Sequence, residues 1–493
     1  MFLEIGSLIF ATLLFLWIYL SQKRPANFPP GPMGIPIFGY LPFLGATPHK
    51  KLGEIGTKWG PIFSLYYGSY PIVVLNTLPM IKDALRRDTF SGRPNHLLAM
   101  KLSRDGITFN DGPAGYEQRR FTLKTLRDLG FGKQSMEKLV EEEVHELVDY
   151  FGKNTNKPIE LKHIFGLFVI NALWSILVGD KFSVNDVRIQ ELYRMCIEGF
   201  IDPEVAGSLW FLPWLAKLMP SSSGYNSVVE VVAELKDLFR GVVEEHKATF
   251  VPNVFRDFVD VYLAKIRETE DTESSFYGEV GENNLLHVLI DLFTAGSDTL
   301  NSSLNFALLY LCSHPEAMTR IQTEIDATCG RSRLPTTSDR KEMPYTEAVI
   351  SEVLRLSSIV VGAILHSTTE EVTLAGYTLP AGCIVMPNLY AVHHDPQVFP
   401  DPDSFKPERF LATSSGTSTF VKNENVVPFS VGKRVCLAEV MAQTEFFLFL
   451  AGLLQRFNFK FADPSNPPDF RNDVKPGLVL CPKPFWVIVE ERL

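Results

Sequence analysis

The run ENNLLHVLIDLFTAGSDTLNSSLNFALLYLCSH, from Glu282 to His314, limits the fold more than any other feature of the chain. It is apolar almost all round and lacks the polar stripe of a surface helix. Such a segment has to be covered on every side, so it predicts a long helix through the middle of the body. Neighbouring patterns are also helical. In SMEKLVEEEVHELVDYF, the residues Val140, Val144, Leu147, Val148 and Phe151 fall on one helical face. PYTEAVISEVLRLSSIV reads as a further helix. Strand signals are short. PIFSLYYGSYPIVVLN carries a hairpin turn at Gly68-Ser69, and EVTLAGYTLPAGCIVMPNLY is punctuated at Gly376 and at Pro380-Ala381-Gly382. A loop-rich stretch from His393 to Pro428 leads into a last long apolar helix and closing strands. The expected class is mainly α with small β-sheets (α+β).

The chain has 493 residues, 46% of them hydrophobic and 21% charged, which suits a large globular body. No clean linker divides it after residue 50. The expected organisation is therefore 1–21, 22–35 and 36–493: an apolar N-terminal helix, a Pro-rich linker and one catalytic body. The net charge of -10 gives no hint of nucleic-acid binding, which would want a basic balance, and no nucleic-acid partner is expected. The cysteines Cys196, Cys312, Cys329, Cys383, Cys436 and Cys481 are scattered, with no C-x-x-C, so they form neither a zinc framework nor a disulfide scaffold.

At the N-terminus, Ile5 to Leu20 carry no charge. At about 1.5 Å per residue they cover most of a roughly 30 Å hydrocarbon core. A cleaved signal peptide wants positive charge before the apolar run and small residues after it. Here Lys23 and Arg24 follow it, which favours an uncleaved anchor with the body in the cytosol. Pro29, Pro30 and Pro32 then read as a stiff spacer.

The spacing Phe429-x-x-Gly432-x-Arg434-x-Cys436 is the most specific signal. Four fixed residues at fixed spacing arise by accident in on the order of one chain in a thousand. Gly432 permits a tight turn and close approach to something flat. Arg434 adds fixed positive charge. Cys436 opens an apolar helix, whose dipole and unpaired amides would surround the sulfur. Those features lower a thiol pKa and hold an anionic ligand. A thiolate on haem iron favours O–O cleavage of bound dioxygen. The other five cysteines read as small buried hydrophobes. In the long helix, Ala295-Gly296-Ser297-Asp298-Thr299 places poor helix formers at the centre. Packing can tolerate them. A functional reading is a local distortion, with Gly296 against a flat ring and the Thr299 hydroxyl on the carbonyl four residues back. That would leave a groove for dioxygen and water.

With Glu352-x-x-Arg355, FKPERF at Phe405–Phe410 and the A-G-x-D-T run all in order, the sequence resembles the cytochrome P-450 family of haem-thiolate monooxygenases, in its microsomal animal branch. The resemblance covers essentially the whole chain. It implies the cytochrome P-450 fold, with the long central helix over haem, an N-terminal membrane anchor helix, and heme b (iron protoporphyrin IX) held by Cys436 as axial thiolate. Phe429, Gly432 and Ala295 would lie against the ring. Glu352, Arg355 and Arg409 would form a structural cluster behind it; alone, E-x-x-R on a helix is only an i,i+3 pair. By motif position, Arg93, Arg119, His366 and Arg434 are the propionate partners. Asp298 and Thr299 match the acid–alcohol pair that relays protons to reduced dioxygen. Two departures stand out. Ala438 replaces the usual glycine two residues after the cysteine. Gly115 stands where the family often has Trp, with Tyr116 beside it, so one propionate contact lacks its usual donor. His393-His394 lies in a loop and is given no site role.

Arg120, Lys124 and Arg127 recur at i, i+4 and i+7, with Arg119 and Lys133 nearby. A solvated helix face is the ordinary explanation. In this acidic chain the resemblance implies a docking surface for an NADPH-dependent flavoprotein reductase, with cytochrome b5 as a second donor. LWFLPWLAKLMP, Leu209 to Pro220, would touch the membrane and roof a substrate channel. Pocket candidates by position are Phe293, Ala295, Val360, Val361, Ala363, Ile364 and Leu478, which point to a lipophilic substrate. The expected location is the endoplasmic reticulum membrane, with the body on the cytoplasmic side. Two other functions remain open: a haem-thiolate isomerase or dehydratase that needs neither dioxygen nor reductase, and a haem-binding sensor without turnover. The Asp298–Thr299 pair argues against the first, and the apolar pocket with its proton relay argues against the second.

Overall fold

The computed structural model describes residues 12, 23–95, 97, 104–196, 211–414 and 416–492. The predicted anchor, residues 1–21, lies outside the described residues except for Thr12, as do Leu209 and Trp210 of the predicted roof. Among the described residues, no helix is long and apolar enough to cross a membrane.

The first elements are α1 (Pro48–Trp59), the hairpin β1 (Ile62–Tyr67) and β2 (Tyr70–Leu75), and α2 (Leu78–Leu85). The hairpin turns at Gly68-Ser69, as the sequence predicts. The helical body follows: α3 (Gly112–Asp128), α4 (Gln134–Gly152), the short strand β3 (Pro158–Glu160), α5 (Ile164–Val178), α6 (Val187–Cys196), α7 (Trp214–Leu218), α8 (Tyr225–Thr249) and α9 (Phe258–Glu268). The long apolar run forms α10 (Gly278–Ser313), 36 residues and about 54 Å in length. Then come α11 (Pro315–Thr328), α12 (Pro344–Ser357), β4 (His366–Ser367), β5 (Val372–Leu374), β6 (Tyr377–Leu379), β7 (Ile384–Pro387) and α13 (Leu389–His393). The stretch read as loop-rich contains a small hairpin, β8 (Leu411–Ser414) and β9 (Thr417–Phe420). The chain closes with α14 (Glu439–Arg456), β10 (Phe457–Phe461), β11 (Val474–Lys475), β12 (Cys481–Pro482) and β13 (Trp486–Glu491).

The largest sheet has the order β1-β2-β7-β4. β1 and β2 are antiparallel, β2 and β7 parallel with Ile72 opposite Ile384, and β7 and β4 antiparallel. Alternation along β2 feeds two cores. Ile72 and Val74 face α1, while Val73 and Leu75 face α2. A second sheet, β10-β13-β3, braces α4 and α14.

The main core lies around α10, which packs on α5, α8, α12 and α14. Buried residues cover nearly the whole turn of α5, including Phe165, Phe168, Ile170 and Trp174. Each fully buried side chain of that size is worth roughly 1.5–3 kcal/mol. Away from its ends, the exceptions in α10 are at its centre, where Thr294, Ala295, Gly296 and Thr299 retain accessible surface inside the fold.

The Pro-rich segment, expected as a stiff spacer, is bonded to the body. Arg24 donates from Nε to Ser64 Oγ (2.9 Å) and from Nη2 to the Pro32 carbonyl (2.8 Å), and Ser64 Oγ donates to the Pro29 carbonyl (2.6 Å). With Phe28 buried as well, residues 24–32 form a strap against β1.

Candidate active site

The cysteine loop is built from backbone hydrogen bonds. Cys436 N donates to the Phe429 carbonyl (2.9 Å), and Ser430 N to the Val427 carbonyl (3.0 Å). Gly432 has φ +84°, a region that penalises any side chain. A Cβ there would lie 2.0 Å from the Leu85 carbonyl oxygen of α2. The tight turn is as predicted, but the close approach is to backbone and not to a flat ring, and Gly432 does not line the cavity. Cys436 does not open α14 directly, since the cap is Ala438. In the absence of a metal, burial pushes the Cys436 thiol up, against the opposing pull of the Ala438 amide and the Arg119 cation. The sequence reading gave the lowering features the upper hand; desolvation outweighs them until a cation meets the sulfur.

Glu352 and Arg355, both fully buried on α12, form a two-point pair: Nε to Oε2 at 2.7 Å and Nη2 to Oε1 at 2.9 Å. Arg409 Nε adds a 3.1 Å bond to Glu352 Oε1, and the Lys406 amide another at 2.8 Å. Arg355 also reaches the His393 and Pro402 carbonyls, each at 2.8 Å. Arg409 donates to the Pro400, Asp401 and Ser404 carbonyls. The structure thus brings together the cluster expected from sequence, as a clamp on the chain that enters the cysteine loop.

Three guanidiniums meet at one end of the cavity. Arg93 donates to the Thr108, Ile364 and Leu365 carbonyls, Arg434 to those of Ser91 (3.0 Å) and Asn110 (2.8 Å), and Arg119 to that of Val435. These hydrogen-bond partners are neutral, and Asp111 and Asp291 oppose the positive charge of the three only in part. Burial, then Arg434 and Arg119, push Arg93 well below the usual arginine range. Burial and Arg119 bring Arg434 down to about 10. His366, on β4, lies 2.8 Å from the Phe90 carbonyl through Nδ1. Burial and Arg93 push it down to about 3, so the ring is neutral with its proton on Nδ1. At Gly115 a Cβ would fall 2.7 Å from the Asn110 backbone, and Tyr116 is 70% exposed. No side chain of this pair takes the place of the family's Trp.

The cavity is about 320 Å³. Cys436, Phe429 and Leu437 line one side, and Ala295, Gly296 and Thr299 of α10 line another. α10 runs unbroken as a helix through this point, and the Thr299 hydroxyl donates to the Ala295 carbonyl at 2.8 Å, as the sequence suggests. Gly296 has a second duty. A Cβ would meet Leu173 Cδ2 at 3.2 Å and Ile170 Cδ1 at 3.6 Å, so the close approach it permits is that of α5. Asp298 is buried away from the cavity lining, and burial pushes its carboxyl up to about 7.

Val360, Ala363, Ile364 and Leu478 line the cavity as expected. Phe293 and Val361 do not. Phe293 is fully buried in an aromatic cluster with Trp174, Phe182 and Phe239, centroids 5.7–6.2 Å away. Val361 turns into the main core, and its carbonyl accepts from Tyr390 N.

Two positions escaped the sequence reading, and a third, His393, was set aside there as a loop residue although it ends α13. Asp291 on α10 accepts the Ile107 and Thr108 amides (2.7 and 2.9 Å) and so holds the segment over the cavity. Burial raises it to about 7, against those amides. Glu445 of α14 also lines the cavity; burial, then Glu143, push it well above the carboxylate range. Both were visible as acids set within apolar stretches of helix. His393, fully buried, accepts the Val427 amide through Nε2 at 2.9 Å, a contact with no local signal.

This donor set fits haem: a thiol facing an apolar slot, with an excess of buried cations at one edge for two carboxylates. A family model described as Cytochrome P450 matches residues 29–489, and the chain belongs to that family. It is therefore an oxidoreductase of the haem-thiolate monooxygenase class, whose cofactor is haem with a cysteine thiolate as axial ligand. Cytochrome P450 18a1 of Drosophila melanogaster is 34% identical over 99% of this chain and 91% of that protein. Cytochrome P450 2J3 of Rattus norvegicus is 35% identical, over 93% and 91%. Cytochrome P450 2C8 of Homo sapiens is 34% identical, over 97% of both.

Proposed function

We propose that this chain inserts one atom of dioxygen into a lipophilic substrate, by hydroxylation or epoxidation, with electrons from NADPH through a flavoprotein reductase. The observation that carries this reading is that Cys436 and Thr299 line the same apolar cavity, with Arg93, Arg119 and Arg434 also in its walls. Cys436 would be the axial ligand, its sulfur steadied by the Ala438 amide. The three arginines would hold the propionates. His366 would join them as a donor only if the propionates raise its pKa enough to protonate Nε2. When bound, the haem supplies a thiolate-ligated iron that activates dioxygen.

The chain's own residues do the rest. Val360, Ala363, Ile364 and Leu478 exclude water and orient an apolar substrate. Thr299 would turn its hydroxyl from the Ala295 carbonyl into the cavity to donate a proton. Asp298, half protonated near pH 7, would resupply it. Arg120, Lys124 and Arg127 are exposed on the outer side of α3, opposite buried Gln118 and Thr122. They would dock the reductase, or cytochrome b5, by charge. Residues 1–21 would anchor the body to the endoplasmic reticulum membrane, on its cytoplasmic side, with 24–32 as the strap and 36–493 as the catalytic body. Exposed Ile37, Phe38 and Phe43 beside Trp214 and Leu218 support a membrane-facing patch there.

The test is a screen of lipophilic compounds for an optical spin-state shift, followed by turnover with reductase, NADPH and dioxygen. Product formation matched by oxygen uptake is expected. Conversion of a peroxide without NADPH or dioxygen would contradict the assignment.

A further inference from the structure

We propose that His393 is a positioning residue for the thiolate loop, a neutral imidazole that fixes where Val427 enters it; this rests on the assignment of Cys436 as ligand. The tautomer follows from the bonds. Ser358 Oγ donates its single proton to the Arg355 carbonyl at 2.7 Å. It must therefore accept from His393 Nδ1, 2.8 Å away, so that nitrogen carries the hydrogen. The lone pair of Nε2 is then left for the Val427 amide at 2.9 Å. The His393 carbonyl accepts from Arg355 Nη1 at 2.8 Å, so the residue is held at both ends by one arginine's surroundings. Ser358 caps α12 in a left-handed conformation, φ 41°, which aims its hydroxyl at the ring. Burial and Arg355 keep the imidazole pKa down to about 3, consistent with a permanently neutral ring.

From Val427 the path to the sulfur is short: its carbonyl accepts Ser430 N, and the Phe429 carbonyl accepts Cys436 N. A loop entry that slips would shift the Cys436 sulfur from the place where it has to hold the iron. The predicted outcome is easier protonation of that sulfur.

Three substitutions separate the two bonds. His393→Gln places an acceptor near the Nε2 position. His393→Asn keeps a donor near the Nδ1 position. His393→Leu has neither. Hydrogen exchange at the Val427 amide of the purified haem-loaded protein should quicken about tenfold in His393→Asn and His393→Leu but not in His393→Gln. In the reduced carbon-monoxide complex, His393→Gln should keep the thiolate-type band, while the other two gain a several-fold larger thiol-type fraction. Equal melting temperatures for His393→Gln and His393→Asn would exclude a general folding defect. If His393→Leu fails to fold, Ser358→Ala serves instead: it frees the tautomer and should weaken Val427 protection. The proposal is overturned if His393→Gln and His393→Asn share one spectrum and one exchange rate. A thiolate-type band surviving in Cys436→Ser would sink the ligand assignment instead, whatever His393 does.

Discussion

The cavity's two sides are built on opposite terms. Behind the sulfur, the charged network is saturated: Glu352 takes bonds from Arg355, Arg409 and the Lys406 amide, and the cations rest on backbone carbonyls. On the α10 side, the surroundings are apolar, and the acids are pushed up by burial, with Asp298 and Asp291 both at about 7. The first arrangement holds geometry, because a satisfied buried network has few other arrangements of similar energy. The second keeps groups able to change protonation near neutral pH, because burial acts alone on Asp298 and outweighs the two amides and the Arg93 cation at Asp291. Rigidity is invested beneath the sulfur, and proton mobility is kept above it.

That contrast predicts a hierarchy of effects. Glu352→Ala leaves Arg355, 0% exposed, as an uncompensated buried charge. Breaking a buried pair in this way costs about 3–5 kcal/mol, to be read as a fall in thermal or urea stability. If stability is unchanged, the network does not clamp the loop.

On the other side, Asp298→Asn and Thr299→Ala should keep the fold but cut product formation per dioxygen consumed by roughly 10²-fold. The pH dependence has a definite sign. The Asp298 carboxyl is raised to about 7 from an ordinary value of 3.8, so it holds its proton through neutral pH and loses it as pH rises past 7. Coupling in the wild type should fall over that window, and Asp298→Asn should flatten the step. The same shift makes the ionised form costly in the folded state. Asp298→Asn should therefore gain stability relative to wild type as pH rises from 4 to 7, and hold that gain above 7.

A smaller effect tests the loop. Gly432→Ala combines a positive φ with a 2.0 Å approach to the Leu85 carbonyl. The backbone strain alone costs about 1–3 kcal/mol, measurable by melting and by haem retention. Smallest is charge reversal at Arg120 with Lys124, which should slow reduction by roughly tenfold at low salt and less at high salt. Reduction that ignores salt would remove the docking face from the account.

The pattern of what was legible follows the same divide. α10 spans Gly278–Ser313 against a predicted Glu282–His314, because an all-apolar run of that length has no other stable place. The cysteine loop and the Glu352–Arg355 pair were legible because spacing fixes local geometry. Phe293 and Val361 were misplaced because an apolar helix or turn shows the same residues to core and cavity. Gly432 was understood as a turn but not as a contact, since Leu85 meets it only once α2 is folded against the loop. His393 was denied a site role for a like reason: its partners Ser358 and Val427 come from two separate segments.

The central claim is that the Cys436 sulfur is the protein's bond to haem iron. Cys436→Ser, purified and reconstituted with haem, tests it through the carbon-monoxide difference spectrum of the reduced protein. Loss of the thiolate-type band together with loss of product formation is expected. A thiolate-type band of wild-type intensity in that variant would contradict it.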